Sequence, residues 1–127
     1  MTNERTIQTQ RYLEEYRQLL LRREALLAER DSLRESYRHA GGNPDHPAPG
    51  EEAINEVVDH IGEAITARLA LIEQLPGERH KLVLTFRYVN GWDWNEICRR
   101  LCYGKSQVFR LHREALVGIA RLMKVSS

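Results

Sequence analysis

Cysteine, proline and glycine are all scarce in this chain: of 127 residues, 2 are Cys, 4 Pro and 8 Gly. Two cysteines, Cys98 and Cys102, cannot build a disulfide framework. So little Pro and Gly excludes collagen-like sequence, and 42% hydrophobic residues argue against a fully disordered chain. Long hydrophobic runs are missing too. No stretch reaches the eighteen apolar residues of a membrane span. The opening Met1-Thr2-Asn3-Glu4-Arg5 is polar and leads directly into charged, helix-like sequence, without the pattern of a signal peptide. A cytoplasmic protein that does not enter the membrane is therefore expected.

Catalytic signatures are also lacking. There is no P-loop, no Gly-rich dinucleotide motif and no nucleophile elbow. His39, His46, His60 and His80 are scattered, without an implied catalytic partner. Cys98 and Cys102 stand four apart, as metal ligands on a helix would. Zinc needs two more ligands, and only His112 is near in sequence. Cys98 fits better as a small buried packing residue. No enzyme activity, cofactor or metal is expected.

What is present is helical periodicity and a divided charge. The net charge is only +1, yet residues 1–74 carry 9 Lys+Arg against 14 Asp+Glu, while residues 75–127 carry 10 against 4. A short basic segment is an electrostatic footprint for nucleic acid, whereas the acidic part would be repelled by it. From about Asn3 to Arg38 there is no Pro or Gly. Positions 12, 16, 19, 23, 26, 30, 33 and 37 alternate in steps of four and three, flanked by Leu13, Leu20 and Leu27. Three of the four prolines then fall in the loop 39–50. From Glu51 a second stripe runs through Ile54, Val58, Ile61, Ile65, Ile72 and Leu75, with Arg68 as its gap and Val57, Ala64 and Leu69 broadening it. Two such helices predict an antiparallel, coiled-coil-like hairpin. At 1.5 Å per residue the first is roughly 50 Å long and the second roughly 36 Å, so the first overhangs. Glu51 and Glu52 suit a helix N-terminus, and Glu56, Asp59 and Glu63 read as a solvated face.

The C-terminal third is richer in signals. Leu75-Pro76-Gly77-Glu78 opens a helix with Leu82, Phe86 and Val89 as its apolar face, and Asn90-Gly91 ends it. Asp93 and Glu96 form a capping-box pattern, with Trp92 and Ile97 placed as a hydrophobic staple. That helix breaks after about two turns at Leu101-Cys102-Tyr103-Gly104. A longer one follows from Lys105, its inner face formed by Val108, Leu111, Ala115, Leu116, Ile119 and Leu122. A short helix, a tight turn and a basic helix make a helix-turn-helix, whose second helix enters the major groove. Lys105, Ser106, Gln107, Arg110 and Arg113 are the expected base-reading residues, and Arg99 and Arg100 the expected phosphate grips. An ordinary three-helix bundle with a basic outer face is the competing reading.

Leu75 to Leu122 resembles the fourth conserved region of bacterial sigma factors. The residues that carry the likeness are Leu75, Arg87-Tyr88-Val89-Asn90-Gly91, Glu96-Ile97-Cys98-Arg99-Arg100-Leu101, Val108 and Ala115-Leu116. Tyr103 together with Gln107-Val108-Phe109-Arg110-Leu111-His112 is closer to small phage- and prophage-associated regulators with sigma-like ends. Two positions depart from the pattern: Cys102 stands for the turn glycine and Gly104 for the usual Ser cap. Nothing resembles the sigma region that melts promoter DNA, so a full sigma factor is not expected.

Periodicity and the resemblance together lead to the expectation of an all-α protein, with the helical hairpin over residues 1–74 and a three-helix, winged-helix-like DNA-binding domain over residues 75–127. Its expected function is sequence-specific binding of double-stranded DNA to regulate transcription, with the hairpin as a homodimerisation or RNA polymerase contact. The alternative is a protein-interaction or assembly module, such as a small phage packaging component or an anti-regulator.

Overall fold

The structure, a computed structural model, describes residues 4–126, and the described residues form five α-helices without a strand. They are α1 (Glu4–His39), α2 (Glu51–Glu73), α3 (Glu78–Leu84), α4 (Trp94–Leu101) and α5 (Lys105–Ser126), with a π-helical turn over Thr85–Val89 after α3. The all-α expectation holds. The expected first helical residue, Asn3, lies outside the described residues. No described helix is long and apolar enough to cross a membrane.

The chain divides into two compact units, and the division does not follow the expected boundary at 74/75. One unit joins Met1–Arg17 to Ala67–Ser127; the other is Gln18–Thr66. Both long helices therefore contribute to both units.

In the Gln18–Thr66 unit, α1 and α2 run antiparallel. Arg30 Nη1 donates to Asn55 Oδ1 at 3.1 Å, and Arg34 pairs with Glu51. Four residues forward on α1 are thus four residues back on α2. The connection follows from local chemistry. Gly41, at φ +87°, ends α1, with the Gly42 amide donating to the Tyr37 carbonyl and the Gly41 amide to Arg38, which satisfies two terminal carbonyls. Glu51 is buried at the start of α2, where its carboxylate accepts from the Ala48 amide at 2.9 Å as well as from Arg34. It thus does more than complement a helix dipole. Glu56, Asp59 and Glu63 are exposed, as expected of a solvated face. Val57 and Leu69, expected to widen the apolar stripe of α2, are instead exposed by 37% and 39%.

The other unit holds the principal core. Leu13 from α1, Leu71 and Ile72 from α2, Leu75, Leu84, Tyr88, and Ala115, Leu116 and Ile119 from α5 form one buried cluster. Leu13, placed on a flank by its sequence spacing, is only 1% exposed and sits at the centre. The N-terminal turns of α1, expected to overhang, are covered by the C-terminal helices. Tyr16, expected on a dimerisation stripe, is buried within the chain itself as well. A second cluster of Val83, Ile97, Val108 and Leu111 packs α3, α4 and α5 together.

Two further expectations are corrected. The inward face of α3 and its π turn is Val83, Leu84 and Tyr88, while Leu82 is 40% exposed and Phe86 and Val89 are half-buried. Leu82 precedes the widened turn and lies beside the face formed by Val83, Leu84 and Tyr88, while the Asn90 amide donates to Thr85 across five residues and ends the helix in that wide turn. Arg68 is no gap in the α2 stripe. It is 6% exposed, its Nε donates to the Tyr12 carbonyl at 2.8 Å, its Nη2 meets Glu15 at 2.7 Å, and its guanidinium lies 3.8 Å from the Tyr12 ring centroid. A buried guanidinium is tolerable because its donors and its charge are matched.

Leu13→Ala is expected to lower stability by about 2–5 kcal/mol through cavity formation. Leu21→Ala, two turns on at 66% exposure, should change it by no more than about 0.5 kcal/mol. Urea titration followed by far-UV circular dichroism checks both.

Candidate nucleic-acid interface

The site is built on α4, the turn after it and the start of α5. Asp93 caps α4, its carboxylate accepting from the Glu96 amide at 2.8 Å. The reciprocal half of the expected capping box is not made. Glu96 instead accepts from Arg100 Nε at 2.8 Å and pairs with Arg99. Trp92 and Ile97 do join one apolar cluster, as a staple requires.

The turn is closed from α4. Cys102 takes the left-handed conformation (φ 58°, ψ 40°), and the Cys102 and Tyr103 amides donate to the Arg99 and Cys98 carbonyls. That conformation costs a residue with a Cβ about 1–2 kcal/mol, which is why glycine suits the position. The Gly104 carbonyl then accepts from the Val108 amide, starting α5.

Val108 and Leu111 point into the core, which orients the rest of the helix. Lys105, Ser106, Phe109, Arg110 and Arg113 are exposed, and their spacing of one, four, five and eight residues lays them on one outward face. Gln107 was expected among them but is half-buried on the flank of that face. Its side chain makes no hydrogen bond back to Gly104 among the described residues, so it is not a capping residue either. No acidic residue occupies the first turn of α5. Glu114, four residues after Arg110 and next to Arg113, hydrogen-bonds His80 on α3 at 2.9 Å, and that bond, with the Arg110 and Arg113 charges, holds it below the usual carboxylate range. The outward face therefore offers an ammonium, a hydroxyl and two guanidiniums, with an aromatic ring among them.

Arg99 and Arg100 are exposed on α4, each paired with Glu96, and Arg100 also lies 4.9 Å from the Trp92 ring centroid. Exposed pairs of this kind are worth about 0–1 kcal/mol, so either arginine can leave Glu96 for a phosphate.

Behind the outward face stands a cluster that the sequence pattern did not disclose. Trp94 is packed by the Arg87 guanidinium at 4.5 Å and meets the rings of Phe109 and His112 in T-shaped contact at centroid distances of 5.0 and 4.8 Å. His112 Nε2 lies 2.6 Å from the Tyr88 hydroxyl. Burial, with the nearby Arg87 charge, pushes the imidazole down to about 4, and burial raises the Tyr88 phenol. His112 is therefore neutral near pH 7 and shares a hydrogen bond with the Tyr88 hydroxyl. His112 Nε2 is taken by the Tyr88 hydroxyl, and no group of three metal-ligating side chains exists among the described residues. Phe109 was the one outward residue that sequence spacing could have found, lying four after Lys105 and four before Arg113.

The neutral His112 predicts an acid-sensitive fold. Its folded value lies below the ordinary 6.5, so protonation favours the unfolded chain. Its contribution is complete above pH 6.5 and falls away as pH drops toward about 4. Denaturation midpoints measured between pH 7 and pH 4 should decline less in His112→Gln than in the wild type. At the turn, Cys102→Val should cost about 1–2 kcal/mol, because a β-branched side chain resists the left-handed region, whereas Cys102→Gly should be neutral or stabilising. Thermal melts of the two variants read this directly. No family model, curated protein or solved structure matches the chain.

Proposed function

We propose that this chain is a sequence-specific double-stranded DNA-binding protein that regulates transcription, using α5 as its recognition helix. The observation that carries the reading is the outward face of α5, where Lys105, Ser106, Arg110 and Arg113 are exposed together and no acidic residue occupies the first turn. Arg110 and Ser106 suit base edges, with Arg preferring guanine and Ser tolerating several bases. Lys105, Arg113, Arg99 and Arg100 serve as phosphate contacts, setting register without reading sequence. The likeness of residues 75–122 to sigma region 4 favours the same assignment, and that of Tyr103 and residues 107–112 to small phage- and prophage-associated regulators favours phage or prophage genes as targets. Residues 18–66, whose helices carry the acidic face, belong to the part that stays off DNA and serve as a homodimer or RNA polymerase contact.

The competing reading is a protein-assembly module. It draws on Leu21 and Val57, exposed by 66% and 37% in the Gln18–Thr66 unit, as apolar surface for a partner helix.

A salt series on random duplex DNA separates the two. A module gripping about four phosphates per protomer should lose affinity with a log–log slope of about −4. On a selected duplex, Arg110→Ala should cost about 1–3 kcal/mol and relax preference at one base pair, while Arg99→Ala or Arg100→Ala should weaken all sequences alike and flatten the slope by about one. Gln107→Ala should leave base preference unchanged, since the residue lies off the outward face. Absence of duplex binding at low salt would leave the assembly reading standing. Sedimentation of the full chain, with and without DNA, reads out the dimer.

A further inference from the structure

The outward face of α5 contains one side chain that electrostatics does not explain. Phe109 is 42% exposed in the middle of a basic surface, with Lys105 four residues before it, Arg113 four after it and Arg110 beside it. A phenyl ring has nothing to offer a phosphate. It is also held in place, because Trp94 meets it edge-on at a centroid distance of 5.0 Å and an interplanar angle of 78°. Trp94 is itself fixed by the Arg87 guanidinium on one side and the His112 ring on another. The exposed ring is therefore presented on a rigid aromatic support.

Only one group on the major-groove edges of the base pairs is apolar, the C5-methyl of thymine. We infer that Phe109 is a specificity-determining residue that reads a thymine methyl in the major groove, beside the base pair taken by Arg110. This rests on the reading of α5 as the recognition helix. It adds a base that cannot be assigned from the polar residues, and it makes Trp94 a positioning residue that acts through Phe109.

The methyl group provides the test. Duplexes retained by the full-length wild-type protein from a random pool are resynthesised with uracil replacing each thymine in turn, which deletes the methyl and leaves Watson–Crick pairing intact. One substitution should lower wild-type affinity about fourfold, the worth of one methyl moved out of water. Phe109→Ala should bind the thymine and uracil forms of that duplex equally, while Phe109→Leu should keep part of the difference. Phe109→Ala should also melt close to the wild type, since the ring is not in the core. If uracil is tolerated at every position, or if Phe109→Ala keeps the thymine preference, Phe109 does not read a methyl, although DNA binding stands. If no duplex is retained at low salt, the recognition-helix reading fails and this inference fails with it.

Discussion

The C-terminal helices depend on outside cover for the apolar side of α5. Leu116 and Ile119 need a dry environment, yet α3 has 7 residues and α4 has 8, too few to enclose a helix of 22. The missing walls come from Leu13 on α1 and from Leu71 and Ile72 on α2. Each such side chain contributes about 1.5–3 kcal/mol when taken out of water. A fragment beginning at Leu75 would lose all three and leave Leu84, Tyr88 and Leu116 open to solvent. The DNA-reading module postulated from sequence is thus incomplete without turns that lie far away in the chain.

That arrangement brings polar groups into the same region, and they are matched locally. Arg68 lies on the inward side of α2, where water cannot serve it, and Tyr12 and Glu15 supply its partners. Arg17 Nη1 reaches the Val89 carbonyl at 3.0 Å, supplying an acceptor's partner at the end of the π turn. α1 is therefore joined to the C-terminal helices by directional bonds as well as by packing. Tyr88, four residues after the buried Leu84 and so on the same helical face, turns inward toward His112, while Arg87 beside it lies over Trp94.

The candidate interface shows how burial selects among similar residues. Lys105, Ser106, Gln107 and Arg110 all suit base recognition by chemistry, and sequence spacing grouped them together. Val108 and Leu111 settle the rotation of α5 by entering the core, which leaves Gln107 on the flank and brings Phe109 outward. On α4, Glu96 was expected to return a bond to its cap. Arg99 and Arg100, three and four residues on, lie on the same face and take that carboxylate instead.

Local signals sufficed wherever the determining interaction spans a few residues. The helical class, the proline-rich connection, the Asp93 cap, the break at Cys102-Tyr103-Gly104 and the inner face of α5 follow from periodicity, capping and turn chemistry, all of which act within about one turn. The division into units, the centrality of Leu13, the burial of Arg68 and the Trp94 cluster did not. Each depends on contacts between residues tens of positions apart, such as Arg68 with Tyr12 or Tyr88 with His112. Periodicity reports that a helix has an apolar side without naming what covers it. Only the tertiary structure decided that α1 folds its first turns onto the C-terminal helices, because those helices are too short to bury α5 alone.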